Sequence, residues 1–202
     1  MRFRDRKKEM AGIVIGVAAI AVFNAGALAA TTGSVTISGT TSGSYSAGFT
    51  NITFTAATLG TTTSGTSTIT TADTSGTNAG WNITMNATAF YDSTSATYLG
   101  TSSTTANDTL TLNAYPSLTG SGCTAPTNTG TGAVSYPVTV PQEPDTSSTA
   151  VPTAGVVMIA AASSGEGSCS GTGTFDLVIP ANATPETTAY TSTLTSTIAS
   201  GP

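Results

Sequence analysis

Carboxylates are the main reactive side chains of this sequence, because its basic side chains are confined to the start. Arg2, Arg4, Arg6, Lys7 and Lys8 are the only cationic residues, and the chain contains no histidine. The acids beyond position 9 are Asp73, Asp92, Asp108, Glu143, Asp145, Glu166, Asp176 and Glu186. Serine, cysteine and phosphate chemistry each need a base or cation that residues 10–202 lack. The sequence therefore predicts a protein that is not an enzyme and carries no cofactor.

A pair of carboxylates is the one catalytic arrangement left open, as in glycoside hydrolases. Glu143 and Asp145 are the acids closest together in sequence, but Pro141 and Pro144 beside them predict an exposed loop. We therefore interpret the acids as solvated surface groups, and a secreted carbohydrate-active enzyme is the weakest of three hypotheses. Calcium could bind some of these acids, but no EF-hand spacing is present. We predict no metal site.

The two cysteines predict one disulfide bond. Cys123 and Cys169 are the only cysteines, and they lie 46 positions apart. In the chain-entropy treatment, closing a loop of that length stabilises a fold by about 4 kcal/mol. Two buried free thiols are the alternative, whereas two sulfurs without histidine make an incomplete zinc shell. The disulfide requires an oxidising compartment.

The N-terminus predicts an export signal. Residues 1–9 are charged, residues 11–28 are almost entirely apolar, and Ala27-Leu28-Ala29 has the small-residue form that signal peptidase requires. We predict a signal peptide over residues 1–29 and one domain over residues 30–202. An uncleaved membrane anchor and a pilin-like retained helix are the alternatives, since about 20 apolar residues can span a bilayer as a helix. All three place the domain outside the cytoplasm.

The charge of the exported domain limits its partners. A product that starts near Ala30 carries eight acidic side chains and no basic one. It cannot neutralise phosphates, which excludes nucleic acid as a partner. It also offers no side chain for anionic lipid headgroups, so membrane contact would involve only the N-terminal segment, if that segment is retained.

Alternating apolar and polar residues predict strands rather than helices. The clearest apolar faces are formed by Trp81, Ile83, Met85, Ala87, Ala89 and Tyr91, by Phe175, Leu177 and Ile179, and by Tyr190, Leu194 and Ile198. Weaker patterns lie at residues 35–37, 49–54, 66–70, 110–114, 134–140 and 156–162, and Pro137 places the segment 134–140 at a sheet edge.

Short strands separated by Gly- and Ser-rich turns predict the fold class. We expect an all-β protein with a single antiparallel β-sandwich or jelly-roll-like domain. Threonine supports this prediction, because its branched Cβ fits a pleated sheet. For the Thr-rich residues 61–77 and 145–153, a disordered, mucin-like stalk is the alternative.

Five Asn-x-Thr sequons make glycosylation a further hypothesis. They begin at Asn51, Asn82, Asn86, Asn107 and Asn182. Asn82 and Asn86 should project from the wet face of one strand, where glycans could be tolerated. The alternative is an unmodified polar surface.

Two motifs of this sequence resemble the WxL-type cell-surface domains of Gram-positive bacteria. The first is Gly80-Trp81-Asn82-Ile83-Thr84, in which Ile83 replaces the leucine of that family. The ending resembles the family in Gly171-Thr172-Gly173, Leu177-Val178-Ile179-Pro180-Ala181, Tyr190 and Leu194-Thr195-Ser196-Thr197-Ile198. Ser196 stands where the second motif has tryptophan, and the family pattern does not require the cysteine pair. The similarity covers residues 31–202.

The resemblance implies a β-rich domain that binds the cell wall non-covalently at the surface. It makes Trp81, Ile83, Tyr190, Leu194 and Ile198 candidate wall-binding residues. The alternation around Trp81 favours a second interpretation, in which these side chains anchor the core.

A structural subunit of an extracellular filament, pilus or coat is the alternative function. Val35 and Ile37 alternate in the N-terminal stretch of the predicted domain. Such a stretch could add a strand to the open sheet of a neighbouring subunit. The predicted partners are therefore a cell-wall polymer or neighbouring copies in a homopolymer.

Overall fold

The computed structural model describes residues 37–40, 45–55, 57–100, 107–146, 152–184, 186 and 189–201. The predicted signal peptide at residues 1–29 lies outside these ranges, as does Val35 of the predicted donor strand. In the described part of the chain, no helix is long and apolar enough to cross a membrane.

Eleven strands make up the regular structure of the described residues, which confirms the all-β prediction. They are β1 (Ile37–Thr40), β2 (Tyr45–Phe49), β3 (Thr62–Asp73), β4 (Trp81–Ala87), β5 (Tyr91–Asp92), β6 (Thr97–Tyr98), β7 (Thr109–Leu112), β8 (Val138–Thr139), β9 (Gly155–Ala160), β10 (Gly167–Val178) and β11 (Leu194–Ser200). Nine of them form one sheet in the order β8-β7-β10-β3-β2-β1-β11-β4-β9, and β5 pairs with β6 separately. The edge position predicted from Pro137 is confirmed, because β8 ends the sheet.

The strands pair antiparallel with one exception. β1 runs parallel to β11, with Ile37 opposite Leu194 and Thr40 opposite Thr197, while it runs antiparallel to β2. This pair is the one departure, among the described strands, from the predicted antiparallel arrangement. The arrangement places the first and last strands side by side in the interior of the sheet, so neither is an exposed edge.

The sheet curls around a single core, and its two ends approach each other. The chain leaves β8 through Val140, whose N–H donates to the Leu110 carbonyl at 2.9 Å. It then reaches the end of β4, where the Ala87 N–H donates to the Pro141 carbonyl at 2.8 Å. Side chains from both ends of the sheet belong to one buried cluster, including Trp81 on β4 and Leu112 on β7. This packing agrees with the predicted sandwich-like fold class.

The Thr-rich segment 61–77 is not a stalk in this structure. β3 occupies most of it and pairs with both β2 and β10. Its inward hydroxyls include Thr63, Ser67 and Thr71, which are buried, and the Ser67 hydroxyl donates to the Thr50 carbonyl at 2.6 Å. The Thr63 hydroxyl likewise donates to the Thr55 carbonyl at 3.1 Å, so a carbonyl compensates the burial of two of these hydroxyls, whereas the Thr71 hydroxyl has no partner among the described residues. The alternative that placed disorder here is therefore wrong.

Candidate functional site

The residues proposed for wall binding from the first motif and the final strand lie inside the core. Trp81 and Ile83 are 0% exposed, and the Trp81 Nε1–H donates to the Gly165 carbonyl at 3.1 Å. Tyr190, Leu194 and Ile198 are buried as well, and β11 pairs with β4 so that Ile198 lies opposite Ile83. The structure therefore brings both motifs together, but it leaves none of these side chains free to contact a polymer.

Gly80 shows why a glycine precedes the tryptophan. Its φ of 73° lies in the left-handed region, and a β-carbon there would overlap the carbonyl oxygen of Ala160. Glycine adopts this backbone conformation without steric cost. The residue therefore lets the chain enter β4 tightly against β9, with the indole of Trp81 turned inward.

The predicted disulfide is confirmed. Cys123 and Cys169 are bonded, with 5.1 Å between their α-carbons. The bond ties the long connection after β7 to the strand β10. The Thr124 N–H reinforces this attachment by donating to the Glu166 carbonyl at 2.9 Å.

The five sequons differ in how they present their side chains. Asn51, Asn107 and Asn182 are exposed. Asn82 and Asn86 are half-buried, and their Nδ2 atoms donate to the carbonyls of Gly201 and Pro152 respectively. A glycan would be attached to that same nitrogen, so modification would leave it a single N–H with which to keep the hydrogen bond.

A groove that the sequence analysis missed lies beside the start of β11. It has a volume of about 260 Å³. Its lining includes Thr88, Tyr91, Tyr98, Glu143, Thr191 and Thr193. We call it the tyrosine groove. Three segments that are distant in sequence form this groove, so no single motif predicts it. The only local indication is the pair of tyrosines that flank the polar turn of residues 92–97.

Hydrogen bonds hold the walls of the tyrosine groove in place. Tyr91 and Thr191 exchange backbone hydrogen bonds of 2.8 and 2.7 Å. The Thr193 N–H donates to the Thr88 hydroxyl at 2.7 Å. The Glu143 N–H donates to the Ala87 carbonyl at 3.0 Å, which fixes the third segment against the end of β4. The groove is therefore formed by backbone-paired segments rather than by a loose loop.

The side chains of the tyrosine groove combine aromatic surface with polar groups. The rings of Tyr91 and Tyr98 are tilted by 45° with centroids 4.8 Å apart. Threonine hydroxyls and the Glu143 carboxylate stand beside them. Glu143 is the only acidic residue that lines this groove among the described residues, and no cationic side chain follows position 8. The chemistry suits a ligand with apolar faces and many hydroxyl or amide protons.

Asp145 does not lie in an exposed loop, so that prediction is wrong. Its side chain is 3% exposed and faces Asp108, which is 1% exposed. Burial, followed by the neighbouring Asp145 carboxylate, raises the pKa of Asp108 well above its usual range. The local prolines indicated a loop correctly, but they gave no sign that the loop folds back over β7. We call Asp108 and Asp145 the carboxyl pair.

These features define a disulfide-bonded, all-β domain with its motif residues in the core. A comparison with protein-family models matches residues 29–202 to the WxL domain, described as surface cell wall-binding. The chain belongs to the WxL family, which confirms the resemblance seen in its sequence and makes it an extracellular, cell-surface, wall-associated protein. No curated protein and no solved structure matches the chain.

Proposed function

We propose that this protein is a non-enzymatic surface module that holds an uncharged stretch of cell-wall glycan non-covalently in the tyrosine groove. The observation that carries the proposal is the grouping of Tyr91, Tyr98 and Glu143 in one half-open groove. The family match supports a wall polymer as the partner. The burial of Trp81 supports a site away from the WxL motif itself.

The groove chemistry favours a sugar. The apolar C–H faces of a pyranose ring pack well on tyrosine rings, which also supply a polar edge. A carboxylate such as Glu143 accepts hydrogen bonds from sugar hydroxyls or N-acetyl amides, and charge strengthens such bonds. The neighbouring hydroxyls of Thr88, Thr191 and Thr193 could both donate and accept.

The charge of the domain distinguishes between two candidate ligands, the glycan strand and the anionic phosphodiester polymers of the wall. Residues 30–202 carry eight acidic side chains and no basic one. Phosphate-rich polymers need cationic side chains on the protein, and an acidic surface repels them. This balance supports the glycan strand over anionic phosphodiester polymers as the ligand.

The position of the acids supports a non-enzymatic function. Hydrolysis of a glycoside needs two carboxyl groups flanking the scissile bond. Within the described ranges, Glu143 is the only acidic residue that lines the groove. The next acid in sequence, Asp145, is buried beside Asp108 and is not part of the lining. A bound glycan would therefore meet one carboxylate, which can bind but cannot complete this mechanism.

Sedimentation with purified walls tests the proposal. Walls should be prepared with and without their anionic polymers, and the protein should bind both. The variants Tyr98→Ala and Glu143→Gln should bind at least about tenfold more weakly, a loss of ~1.4 kcal/mol. Glu166→Gln, outside the groove, is the matched control and should bind normally. Unchanged binding by both folded groove variants would contradict the assignment of the site.

The filament hypothesis is a second candidate because of where β1 lies. This strand of four residues occupies an interior slot of the sheet between β2 and β11. If β1 of one copy entered that slot in another, copies would join into a chain. Electron microscopy of concentrated protein would show filaments if this exchange occurs. Monodisperse monomers at the highest concentration reached would argue against it.

A further inference from the structure

The carboxyl pair presents a problem of charge. Asp108 and Asp145 are almost fully buried and lie within hydrogen-bonding reach of each other. Two adjacent carboxylates cannot both ionise in such a site without a compensating positive charge. The cationic side chains of this sequence all lie at positions 2–8, within the predicted export signal. The compensating charge must therefore come from outside the exported domain, as a proton or as a metal cation.

Oxygen atoms from neighbouring segments converge on the carboxyl pair. Asp145 Oδ2 accepts the Asn107 N–H at 3.0 Å. Asp145 Oδ2 and Asn107 Oδ1 both lie against the α-carbon of Gly100, where a β-carbon would overlap each of them. Only glycine fits at position 100, so the close grouping of these oxygens depends on the absence of a side chain there.

The Asp108 carboxylate supplies the observation that points to a ligand. Its Oδ2 accepts the Gln142 Nε2–H at 3.0 Å. Gln142 is itself fixed, because its Oε1 accepts the Leu110 N–H at 2.9 Å. Asp108 Oδ1 is buried and accepts no hydrogen bond from a donor among the described residues. A buried carboxylate oxygen without a donor is costly, and a bound proton, water or cation would compensate it.

We propose that Asp108, Asp145 and Asn107 form a calcium-binding site. Calcium accepts carboxylate and amide oxygens in irregular geometry, with water completing 6–8 ligands, whereas magnesium demands a near-octahedral shell. Zinc prefers sulfur and nitrogen, which this set of residues lacks. Asn107 is exposed, which gives the ion and its waters a path from solvent.

The ligand set predicts a weak site. No group of three or more His, Cys, Asp or Glu side chains suited to a metal is found in the described ranges, so the amide of Asn107 and water must complete the shell. A site with only two carboxylates belongs with extracellular calcium modules, whose dissociation constants are about 10⁻⁴–10⁻³ M.

The site would also join two parts of the fold. Asp108 and Asn107 precede β7, whereas Asp145 ends the segment that carries Glu143 into the tyrosine groove. Binding of calcium would therefore hold that segment down on β7. The proposal does not depend on the identity of the groove ligand, because metal binding is measured without any wall polymer.

Calorimetry and thermal unfolding of the exported protein, first stripped with EDTA, test the calcium site. One calcium ion should bind per chain, and ~10 mM calcium should raise the Tm by about 4–8 °C, whereas equal magnesium should have less effect. Asp108→Asn should lose the shift. Asp176→Asn, which changes a carboxylate on β10 outside the site, should keep it.

The alternative to calcium is a proton shared by the carboxyl pair. In that case calcium would neither bind nor raise the Tm of the unaltered protein, and Asp108→Asn, which mimics the protonated acid, would be at least as stable as the parent. That pattern would overturn the proposal. If Asp108→Asn does not fold, Asp145→Asn and the calcium content of the unaltered protein after dialysis decide between the two.

Discussion

Two regions of this domain differ in what their polar side chains contact. On one side, residues 113–137 cover the free edge of β9, and we call this the capped side. The Tyr115 hydroxyl donates to the Ile159 carbonyl and the Tyr136 hydroxyl to the Val157 carbonyl, each at 2.7 Å. The disulfide from Cys123 holds the same connection against β10. The groove side instead presents the tyrosine groove and the carboxyl pair, whose Asp145 lies two residues after Glu143.

The difference assigns stability to the capped side and ligand binding to the groove side. On the capped side, tyrosine hydroxyls donate hydrogen bonds to carbonyls that the edge strand β9 would otherwise present to another chain. These hydrogen bonds protect the sheet from pairing with other chains. On the groove side, Tyr91, Tyr98 and Glu143 remain accessible to a ligand, and Asp108 keeps a buried oxygen without a donor. We infer that changes on the capped side mainly alter the free energy of unfolding, whereas changes on the groove side mainly alter ligand affinity.

Removal of the disulfide should have the largest effect. The double variant Cys123→Ala, Cys169→Ala should lose about 4 kcal/mol of unfolding free energy, because the open chain gains conformational entropy when it unfolds. Denaturant unfolding of the variant, and of the parent with and without reductant, measures the loss. Wall binding at a temperature where the variant is folded should be unchanged. A loss of binding under those conditions would contradict the inference that changes on the capped side alter stability and not ligand affinity.

Alkaline pH should weaken the capped side. Burial raises the pKa of the Tyr115 and Tyr136 hydroxyls above the usual 10.0. Because the folded state binds these protons more tightly than the unfolded state, their contribution to stability is complete below about pH 10 and is lost as the pH rises through the folded pKa. Unfolding measured between about pH 8 and pH 11 should show this decline.

The matched control for the alkaline decline is the double variant Tyr115→Phe, Tyr136→Phe. It lacks both titrating hydroxyls, so its stability should fall less over the same range of pH. An equal decline in the variant and the parent would assign the effect to other groups.

Deletion of a single capping hydroxyl should have a moderate effect. Tyr115→Phe keeps the ring but leaves the Ile159 carbonyl without its donor, which should cost about 1 kcal/mol. Tyr91→Phe, on the groove side, serves as the comparison and should cost less. Light scattering of the concentrated double variant Tyr115→Phe, Tyr136→Phe would show whether the uncapped edge of β9 associates with other copies. Association of this variant alone would support a protective role for the two hydroxyls.

Groove variants should have the smallest effect on stability. Glu143→Gln and Thr193→Ser replace half-buried side chains and should change the unfolding free energy by less than about 0.5 kcal/mol. Thermal unfolding checks this expectation before any binding assay. A destabilisation as large as that of Tyr115→Phe would show that the groove side is also structural.

The sequence predicted the parts of the fold that depend on local periodicity. The alternation that starts at Trp81 indicated the buried face of β4, and that face is buried in the structure. The two cysteines had no other partner, so their bond followed from the sequence and the compartment alone. In each case one segment or one pair contained all the information needed.

The groove and the carboxyl pair could not be predicted in the same way. Tyr91, Glu143 and Thr191 are brought together by backbone hydrogen bonds between segments that are far apart in sequence. Asp145 follows Pro144, which indicates a turn but not the surface on which the turn packs. The spacing of acids is informative about metals mainly within one loop, and this set is divided between two.

The parallel pairing of β1 with β11 has a mechanical consequence. The chain enters β1 at Ile37 and leaves β11 at Ser200, and the two strands run in the same direction over four opposed pairs. A pull on the two ends of the domain therefore slides one strand along the other and loads all of their hydrogen bonds at once, rather than peeling them apart singly. A domain fastened at one end and gripped at the other, on a cell surface exposed to flow, would resist extension through this pair.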